Sequence, residues 1–287
     1  MILNFSQGWI EIVGVSSAEE IKAIRLAALR ALPGHGAHPQ RVSSWRIERG
    51  TRSEPQILDY PEWSLTTVCC DFELTEPEWR RLLRAICQRL LLHNGYIGLH
   101  AVVARLSGQV FAIAGSYGTG KSSIGAHLCE RGGELLAGDF AAIGRPQDAL
   151  GAVFVSGTRP VLVRTEGNDS AIHDTQRCLT GMAAAVGEPE KLTALLYLES
   201  NQRGVNRVQT QLPQVSRRTI NDLYLNASTG FDQALERFLF PLAILNPAND
   251  QRTRFALVER LVNEVRVTRA RGTSQYLADL ITGIADD

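Results

Sequence analysis

Residues 115–122 read Gly-Ser-Tyr-Gly-Thr-Gly-Lys-Ser and match the phosphate-binding pattern G-x-x-x-x-G-K-[ST] in full. The chemistry of such a run is specific. Its glycines let the backbone curl so that successive N–H groups face a polyphosphate, and the helix that follows adds partial positive charge. Gly115, Gly118 and Gly120 supply that freedom, while Ser116, Tyr117 and Thr119 fill the variable positions. Lys121 can reach the β- and γ-phosphates, the Ser122 hydroxyl can ligate Mg²⁺, and Ser123 extends toward the α-phosphate. The pattern has weight only between a strand and a helix. Here Val110–Ala114 is apolar and strand-like, and Ser123–Cys129 reads as helix. The predicted ligand is ATP or GTP with Mg²⁺.

A second group lies close by in sequence. Glu134–Ala137 reads as a short apolar strand ending at Gly138-Asp139, with Asp139 only 18 residues beyond Lys121. At a strand end near the loop, Asp139 reads as a Mg²⁺ ligand, a catalytic base or a structural turn residue. His100 falls on a strand entering the core, where a lone histidine reads first as a satisfied structural residue. The Tyr117 hydroxyl faces the acceptor or packs as a lid. Phosphoryl transfer also calls for cations; Arg145, Arg159 and Arg164 are candidates, each equally readable as a surface or salt-bridge residue. His35-Gly36-Ala37-His38 has metal-like spacing but sits in a Pro/Gly loop without nearby thiol or carboxylate partners, and reads as loop. No G-x-S-x-G, H-E-x-x-H or EF-hand pattern is present.

The elements that must hold these residues follow from patterning. Residues 8–15 alternate as a strand, and Ser17–Glu20 forms a capping box, Glu20 reaching back, for a helix to about Leu32. Residues 33–62 read as loop-rich, with a short strand at Trp45–Glu48, and Leu65–Phe72 reads as a strand. Thr75–Glu78 is a second capping box. Its helix carries Trp79, Leu82, Leu83, Ile86 and Leu90 as a core stripe and stops at Asn94-Gly95. Leu99–Arg105 and Gln109–Ala114 form a hairpin about Ser107-Gly108. Strands are expected at Ala141–Ile143, Ala152–Val155 and Val161–Arg164, and residues 166–190 read as loop with one short helix. Leu192–Leu198 reads as a buried strand with Val205–Gln211 beside it, and helices are expected over 216–226, 230–245, 250–264 and 273–284. The division predicted is an N-terminal α+β module, residues 1–94, and an α/β nucleotide-binding domain, residues 95–287.

Composition narrows the class. The chain has 287 residues, 44% hydrophobic and 21% charged, and its 30 basic residues balance 30 acidic ones. That balance argues against bulk binding of nucleic acid or an anionic membrane. No run reaches the ~18 apolar residues of a membrane span, and the N-terminus lacks the pattern of a signal peptide. Five cysteines without a C-x-x-C pair read as reduced thiols, so a cytoplasmic location is expected.

Gly98–Ile143, 46 residues, combines these features in one order: Leu99-His100-Ala101, a hairpin, the loop Gly115–Ser122, Arg131-Gly132, and an apolar strand into Gly138-Asp139. This stretch resembles the HPr kinase-like family, of the phosphoenolpyruvate-carboxykinase-like P-loop type. The resemblance implies an α/β kinase core with a small N-terminal α+β module and a helical C-terminus. It also implies ATP-dependent, Mg²⁺-requiring transfer to a hydroxyl, and a role for His100 near the γ-phosphate. Residues 1–90 look more like the leader module of stand-alone relatives, such as kinases encoded beside lasso-peptide precursors, than the N-terminal domain of true HPr kinase/phosphorylase. Two departures stand out. The family's Asp-Asp is Gly138-Asp139 here, so the carboxylate expected as base is missing, and the Gly-rich segment tied to phosphorylase activity has no counterpart. The expected acceptor is a peptide or protein Ser/Thr, or a small metabolite. The alternative is a nucleotide-binding sensor or scaffold without transfer; a slow nucleotide hydrolase is a further one.

Overall fold

Alternating short strands in the first 70 residues build one sheet. The computed structural model describes residues 1–36, 43–52, 56–145, 151–164, 177–183, 188–199, 206–210, 213–235 and 240–286. Strands β1 (Ile2–Phe5), β2 (Gly8–Val13), β3 (Ser44–Gly50), β4 (Gln56–Tyr60) and β5 (Leu65–Cys69) lie in the order β1-β2-β3-β5-β4. The inner three are parallel and the two edges antiparallel. Helix α1 (Ala18–Ala31) makes the crossover from β2 to β3, and α2 (Glu76–His93) packs against α1. Their buried faces, including Ile24, Ala28, Trp79, Leu82, Leu83 and Ile86, join Ile10, Trp45, Ile47 and Val68 of the sheet in one core.

The caps behave differently from each other. At α2 the box closes, with Thr75 N–H donating to Glu78 Oε2 at 2.8 Å. At α1 only half of it forms. Ser17 Oγ accepts from Glu20 N–H at 3.3 Å, but the Glu20 side chain does not return. Its Oε1 instead accepts from Leu74 N–H, Trp79 Nε1 and Arg49 Nε, at 3.1, 3.1 and 3.2 Å. A carboxylate buried to this degree needs several donors, and three inward donors outweigh one at a helix end.

The second sheet carries the glycine-rich loop Gly115–Ser122. It contains β6 (Tyr96–Leu99), β7 (Ala101–Leu106), β8 (Gln109–Gly115), β9 (Glu134–Ala137), β10 (Ala141–Gly144), β11 (Val153–Gly157), β14 (Glu190–Leu198), β15 (Arg207–Thr210) and β18 (Arg266–Arg271). The path runs β6-β10-β11-β14-β8-β7-β9, with β18 also against β14 and β15 against β18. Strand β14 is parallel to both β8 and β18. The β7–β8 turn is Ser107-Gly108 with φ values of 50° and 78°, the two left-handed residues that a tight hairpin needs. Helices α3 (Lys121–Glu130) and α6 (Ser274–Asp286) cover one face, and α4 (Pro213–Ala227) and α5 (Ala248–Glu264) the other. This is a mixed α/β architecture consistent with nucleotide binding.

Three expectations fail for identifiable reasons. Residues 230–245 are not one helix among the described residues: β16 (Ala234–Leu235) pairs with β17 (Phe240–Pro241), and a 3₁₀ turn spans Leu242–Leu245. Gly230 at φ 114° and Pro241, which has no N–H to donate, both oppose a helix there. Strand β15 pairs with β18 and not with β14, because β18 takes that position. Its sequence Arg-Val-Thr-Arg-Ala-Arg hides a buried strand behind three arginines. Of the loop with a short helix expected over 166–190, residues up to 176 and 184–187 lie outside the described residues, while β13 (Arg177–Met182) pairs with β12 (Pro160–Arg164).

Helix α2 is the wall between the two sheets. Its core extends to Tyr96, Phe140, Ala142 and Val153, and Gln88 bonds both the N–H and the C=O of Gly98, at 3.1 and 3.0 Å. The strands of residues 2–69 pair only among themselves. Among the described residues no helix is long and apolar enough to cross a membrane, and Cys69, Cys70, Cys87 and Cys129 are free thiols.

Candidate functional site: a phosphate loop facing a held carboxylate

Strand β8 ends in the loop, and β14 runs beside it so that Leu198 lies opposite Gly115. A Cβ at Gly115 would stand 2.8 Å from the Leu198 carbonyl oxygen, so only glycine lets the loop leave the sheet here. Gly118 and Gly120 have φ of 77° and 89°, left-handed values that glycine tolerates. Gly120 caps α3, which starts at Lys121. The Lys121 ammonium is buried and donates to the carbonyl oxygens of Gly115 and Ser116, at 2.9 and 2.8 Å. Thr119 Oγ1 also donates to Ser116 O, at 2.8 Å. The loop is therefore shaped by its own side chains. Ser122 and Ser123 follow at half-buried positions in the first turn of α3.

Side chains from distant parts of the chain brace this loop. Buried Asn226 of α4 donates to the carbonyl oxygens of Gly115 and His100, both at 3.3 Å, and accepts from His100 N–H at 2.8 Å. Tyr197 of β14 lies beside the Ser116 side chain, which partly offsets the upward push of burial on its phenol. Neither residue carries a sequence signal, because an amide or phenol at such a spacing matches no motif.

The turn Gly138-Asp139-Phe140 joins β9 to β10. Thr158 accepts from Gly138 N–H at 2.9 Å through its carbonyl and from Phe140 N–H at 3.0 Å through its hydroxyl. Asp139 O accepts from Ala101 N–H at 3.1 Å. The Asp139 carboxylate is thus held in place, 26% exposed, with Oδ1 3.0 Å from His100 Nε2 and Oδ2 2.7 Å from Arg84 Nη2. Burial alone would raise its pKa, but the Arg84 charge and the His100 hydrogen bond outweigh burial and hold it well below the usual carboxylate range. His100 is buried and shifts down. Burial is the largest cause, Lys121 and Arg84 add to it, and Asp139 only partly opposes it. A neutral imidazole bonded this way donates from Nε2–H to Asp139. The His100 ring also packs at 4.3 Å on the exposed Tyr117 ring, which lies 6.0 Å from the Lys121 ammonium.

His100, Tyr117, Lys121 and Asp139 are thereby brought to one place. Arg84, which no sequence pattern singled out, completes it. Its Nη2 also donates to Arg30 O at 2.9 Å, and its guanidinium lies 4.7 Å over the Phe140 ring. The signal available was Arg80, Arg81 and Arg84 at helical spacing on α2, which reads by default as a solvated face. Two of the three arginines proposed as phosphoryl partners have partners elsewhere. Arg145 pairs with Glu264 at 2.6 Å, and Arg159 Nε donates to Ala183 O at 3.2 Å. Arg164 ends β12, outside the residues whose side chains are described. His35 Nδ1 lies 3.0 Å from Asn4 O, and His38 lies outside the described residues. Among the described residues no group of three or more His, Cys, Asp or Glu could hold a metal ion.

Mg²⁺ needs less than such a group. It takes hard oxygens, commonly one or two from protein with the rest from phosphates and water. Ser122 and Asp139 offer that donor chemistry, and each Asp139 oxygen keeps a second lone pair beyond its present hydrogen bond. In front of Asp139 opens a cleft of about 240 Å³ lined by Arg30, Arg80, Arg81, Arg84, Tyr117, Asp139 and Gln233.

No family model matches the chain, and no curated protein matches it. Among solved structures it is similar to the HPr(Ser) kinase/phosphatase from Coxiella burnetii. The identity is 13% and the TM-score 0.26, over 41% of this chain and 72% of that one. A likeness of that size carries no argument about this chain, so the functional reading rests on the residues described above.

Proposed function

We propose that this chain is an ATP-dependent, Mg²⁺-requiring phosphotransferase acting on a hydroxyl, in a peptide or protein Ser/Thr or in a small molecule; GTP is the second candidate donor. The observation that carries the reading is a preformed phosphate loop with an ionised carboxylate, Asp139, fixed at the cleft that Tyr117 of the loop also lines.

In this reading each residue has a role. The loop N–H groups and Lys121 position the β- and γ-phosphates. The acceptor oxygen forms a bond to the γ-phosphorus as the bond to the bridging oxygen of the nucleoside diphosphate breaks. The hydroxyl proton departs, so the balance is alcohol plus ATP giving phosphate monoester, ADP and a proton. Asp139 accepts a hydrogen bond from the hydroxyl and orients it. A carboxylate held this far down in pKa is a weak proton acceptor, which suits a loose transition state in which the proton moves late and is handed on to water. His100 donates to Asp139 and fixes its plane. Mg²⁺ held by Ser122 and Asp139 would neutralise charge on the phosphates.

A second reading is a nucleotide-binding sensor or scaffold without transfer. Gly138 in place of a carboxylate, together with the engagement of both Asp139 oxygens, favours it. One experiment separates the readings. The protein is incubated with Mg-ATP and a pool of alcohols and hydroxyl peptides, and products are weighed by mass spectrometry. ADP with a phosphorylated acceptor supports the transferase. Bound nucleotide without ADP supports the scaffold, and free phosphate without a phosphorylated acceptor supports a hydrolase.

A further inference from the structure

Asn226 stands on α4 where an apolar residue would be expected. Its neighbours on that face, Leu223 and Ala227, are fully buried in the core beneath β6, β7 and β8, and Asn226 is itself 7% exposed. An amide in such a place is costly unless its polar atoms are paired. Both are. Oδ1 accepts from His100 N–H at 2.8 Å, and Nδ2 donates to the carbonyl oxygens of His100 and Gly115, both at 3.3 Å.

The identity of these partners gives the amide more than a packing role. Strands β7 and β8 pair in register as far as Ala101 opposite Ala114. One step further the pair would be His100 and Gly115, and there the strands part. His100 is the bend that joins β6 to β7, and Gly115 turns into the loop. Asn226 enters this fork and bonds both branches. On the first branch, Ala101 N–H donates to Asp139 O at 3.1 Å, and His100 Nε2 lies 3.0 Å from Asp139 Oδ1. On the second, Gly115 O also accepts from Lys121 Nζ at 2.9 Å. One side chain therefore ties the residue that orients Asp139 to the carbonyl that anchors Lys121.

We infer that Asn226 is a positioning residue, which sets the spacing between the phosphate loop and the His100–Asp139 pair and so the alignment of the phosphoryl group with its acceptor. The pin rests on the hydrogen bonds above, while its effect on transfer rests on the phosphotransferase reading. Misplacing reacting groups by about 1 Å can cost about 10²-fold in rate. The N–H groups of the loop and Lys121 would still hold a polyphosphate, so binding should suffer far less than turnover.

The test compares the full chain with Asn226→Ser and Asn226→Gln. Serine removes the bridge without adding charge, and glutamine keeps the amide but sets it a methylene further from the helix. Mg-ADP affinity by calorimetry should stay within about threefold in both. Turnover with the acceptor found by mass spectrometry should fall by about 10- to 100-fold. A second readout needs no acceptor. With histidine ring nitrogens labelled, wild-type His100 should give an Nε2–H signal protected from exchange by its bond to Asp139, and Asn226→Ser should lose that protection. Wild-type turnover in either variant overturns the pin, as does an unmoved His100 signal in Asn226→Ser. Loss of Mg-ADP affinity by the same factor as turnover also overturns it, because Asn226 would then support the loop alone. Should neither variant fold, the wild type still answers. The two Asn226 amide protons, one on each branch of the fork, should exchange slowly with solvent, and rapid exchange overturns the proposal. A wild type that transfers to no acceptor, with the His100 signal lost in Asn226→Ser, upholds the pin and sinks the phosphotransferase reading instead.

Discussion

The phosphate loop and the arginine-lined cleft meet at Tyr117, yet they are built in opposite ways. The loop is local. Eight consecutive residues contain its glycines, its lysine and its hydroxyls, and the strand and helix that hold it are its immediate neighbours. The cleft is assembled from α1, α2, the β9–β10 turn and Gln233, positions spread from 30 to 233. The loop's chemistry is fixed by backbone conformation, which sequence dictates directly. The cleft's chemistry is fixed by charge brought together through packing. A loop built from consecutive residues is visible as a motif, whereas a cleft assembled by packing shows only once α2 has been placed between two sheets.

The largest effect should fall on the local half. Lys121→Ala removes a buried charge from the loop and should weaken Mg-ATP by about 10- to 100-fold. Transfer should fall by about 10²–10³-fold or more, because the charge acts most strongly where phosphoryl charge develops. The fold should persist, since Gly115 O keeps its bond from Asn226. Nucleotide titration and turnover give the answer. If both stay at wild-type values, the loop is not the donor site.

Arg84→Met strikes the assembled half. It leaves Asp139 without its charged partner, and breaking such a pair typically destabilises by about 3–5 kcal/mol. Asp139 is a quarter exposed, so the lower end, about 3 kcal/mol, is expected in urea unfolding. The pH dependence has a definite sign. The folded Asp139 pKa lies well below the usual carboxylate range, so the unfolded chain takes up the proton first as the pH falls. The stabilisation is complete above about pH 4 and is lost as pH falls toward the folded value. Wild type and variant should therefore converge in stability below pH 4. Curves that stay parallel to pH 3 would show that Arg84 does not hold the carboxylate.

Asp139→Asn sharpens the boundary between the halves. If Asp139 serves chiefly as a Mg²⁺ ligand, the Mg²⁺ concentration for half-maximal turnover should rise. If it orients and deprotonates the acceptor, the rate should fall by about 10²-fold with Mg²⁺ dependence unmoved. A variant that matches wild type in both measurements removes Asp139 from the chemistry.

What the sequence made legible follows the same division. The Ser107-Gly108 hairpin, the α2 cap and the strand–loop–helix about Lys121 are all visible, because each is decided within a few residues. Glu20 misled, since a capping pattern cannot reveal that Trp79 and Arg49 will arrive as better donors from far along the chain. Arg84 misled for a related reason. A charged residue on an amphipathic helix reads as solvated unless a buried carboxylate is known to face it. Strand β18 was hidden because Arg269 is buried only through its partners Glu199 and Asp222, each distant in sequence.

The smallest predicted effect bears most directly on which half governs the reaction. Gly138 is buried and donates its N–H to Thr158 O, but its φ lies outside the left-handed region, so the backbone does not require glycine there. The absence of a side chain must then be explained by what surrounds the turn. An aspartate at this position would set a second carboxylate next to Asp139 in the chain and add a negative charge to the turn. Like charges at close range raise each other's pKa and repel an anionic substrate. Gly138→Asp should therefore reduce transfer to an anionic alcohol by about 10-fold, the scale of one unfavourable charge contact. Mg-ATP affinity should stay within about twofold, because the loop's own contacts are untouched. Toward a neutral alcohol the variant should lose nothing, and the added carboxylate should act as a conventional base. The contrast between the two acceptors is the measurement that matters. A many-fold gain on both would mean that the wild-type site has lost a base it once used, and the scaffold reading would then describe the protein better than the transferase one.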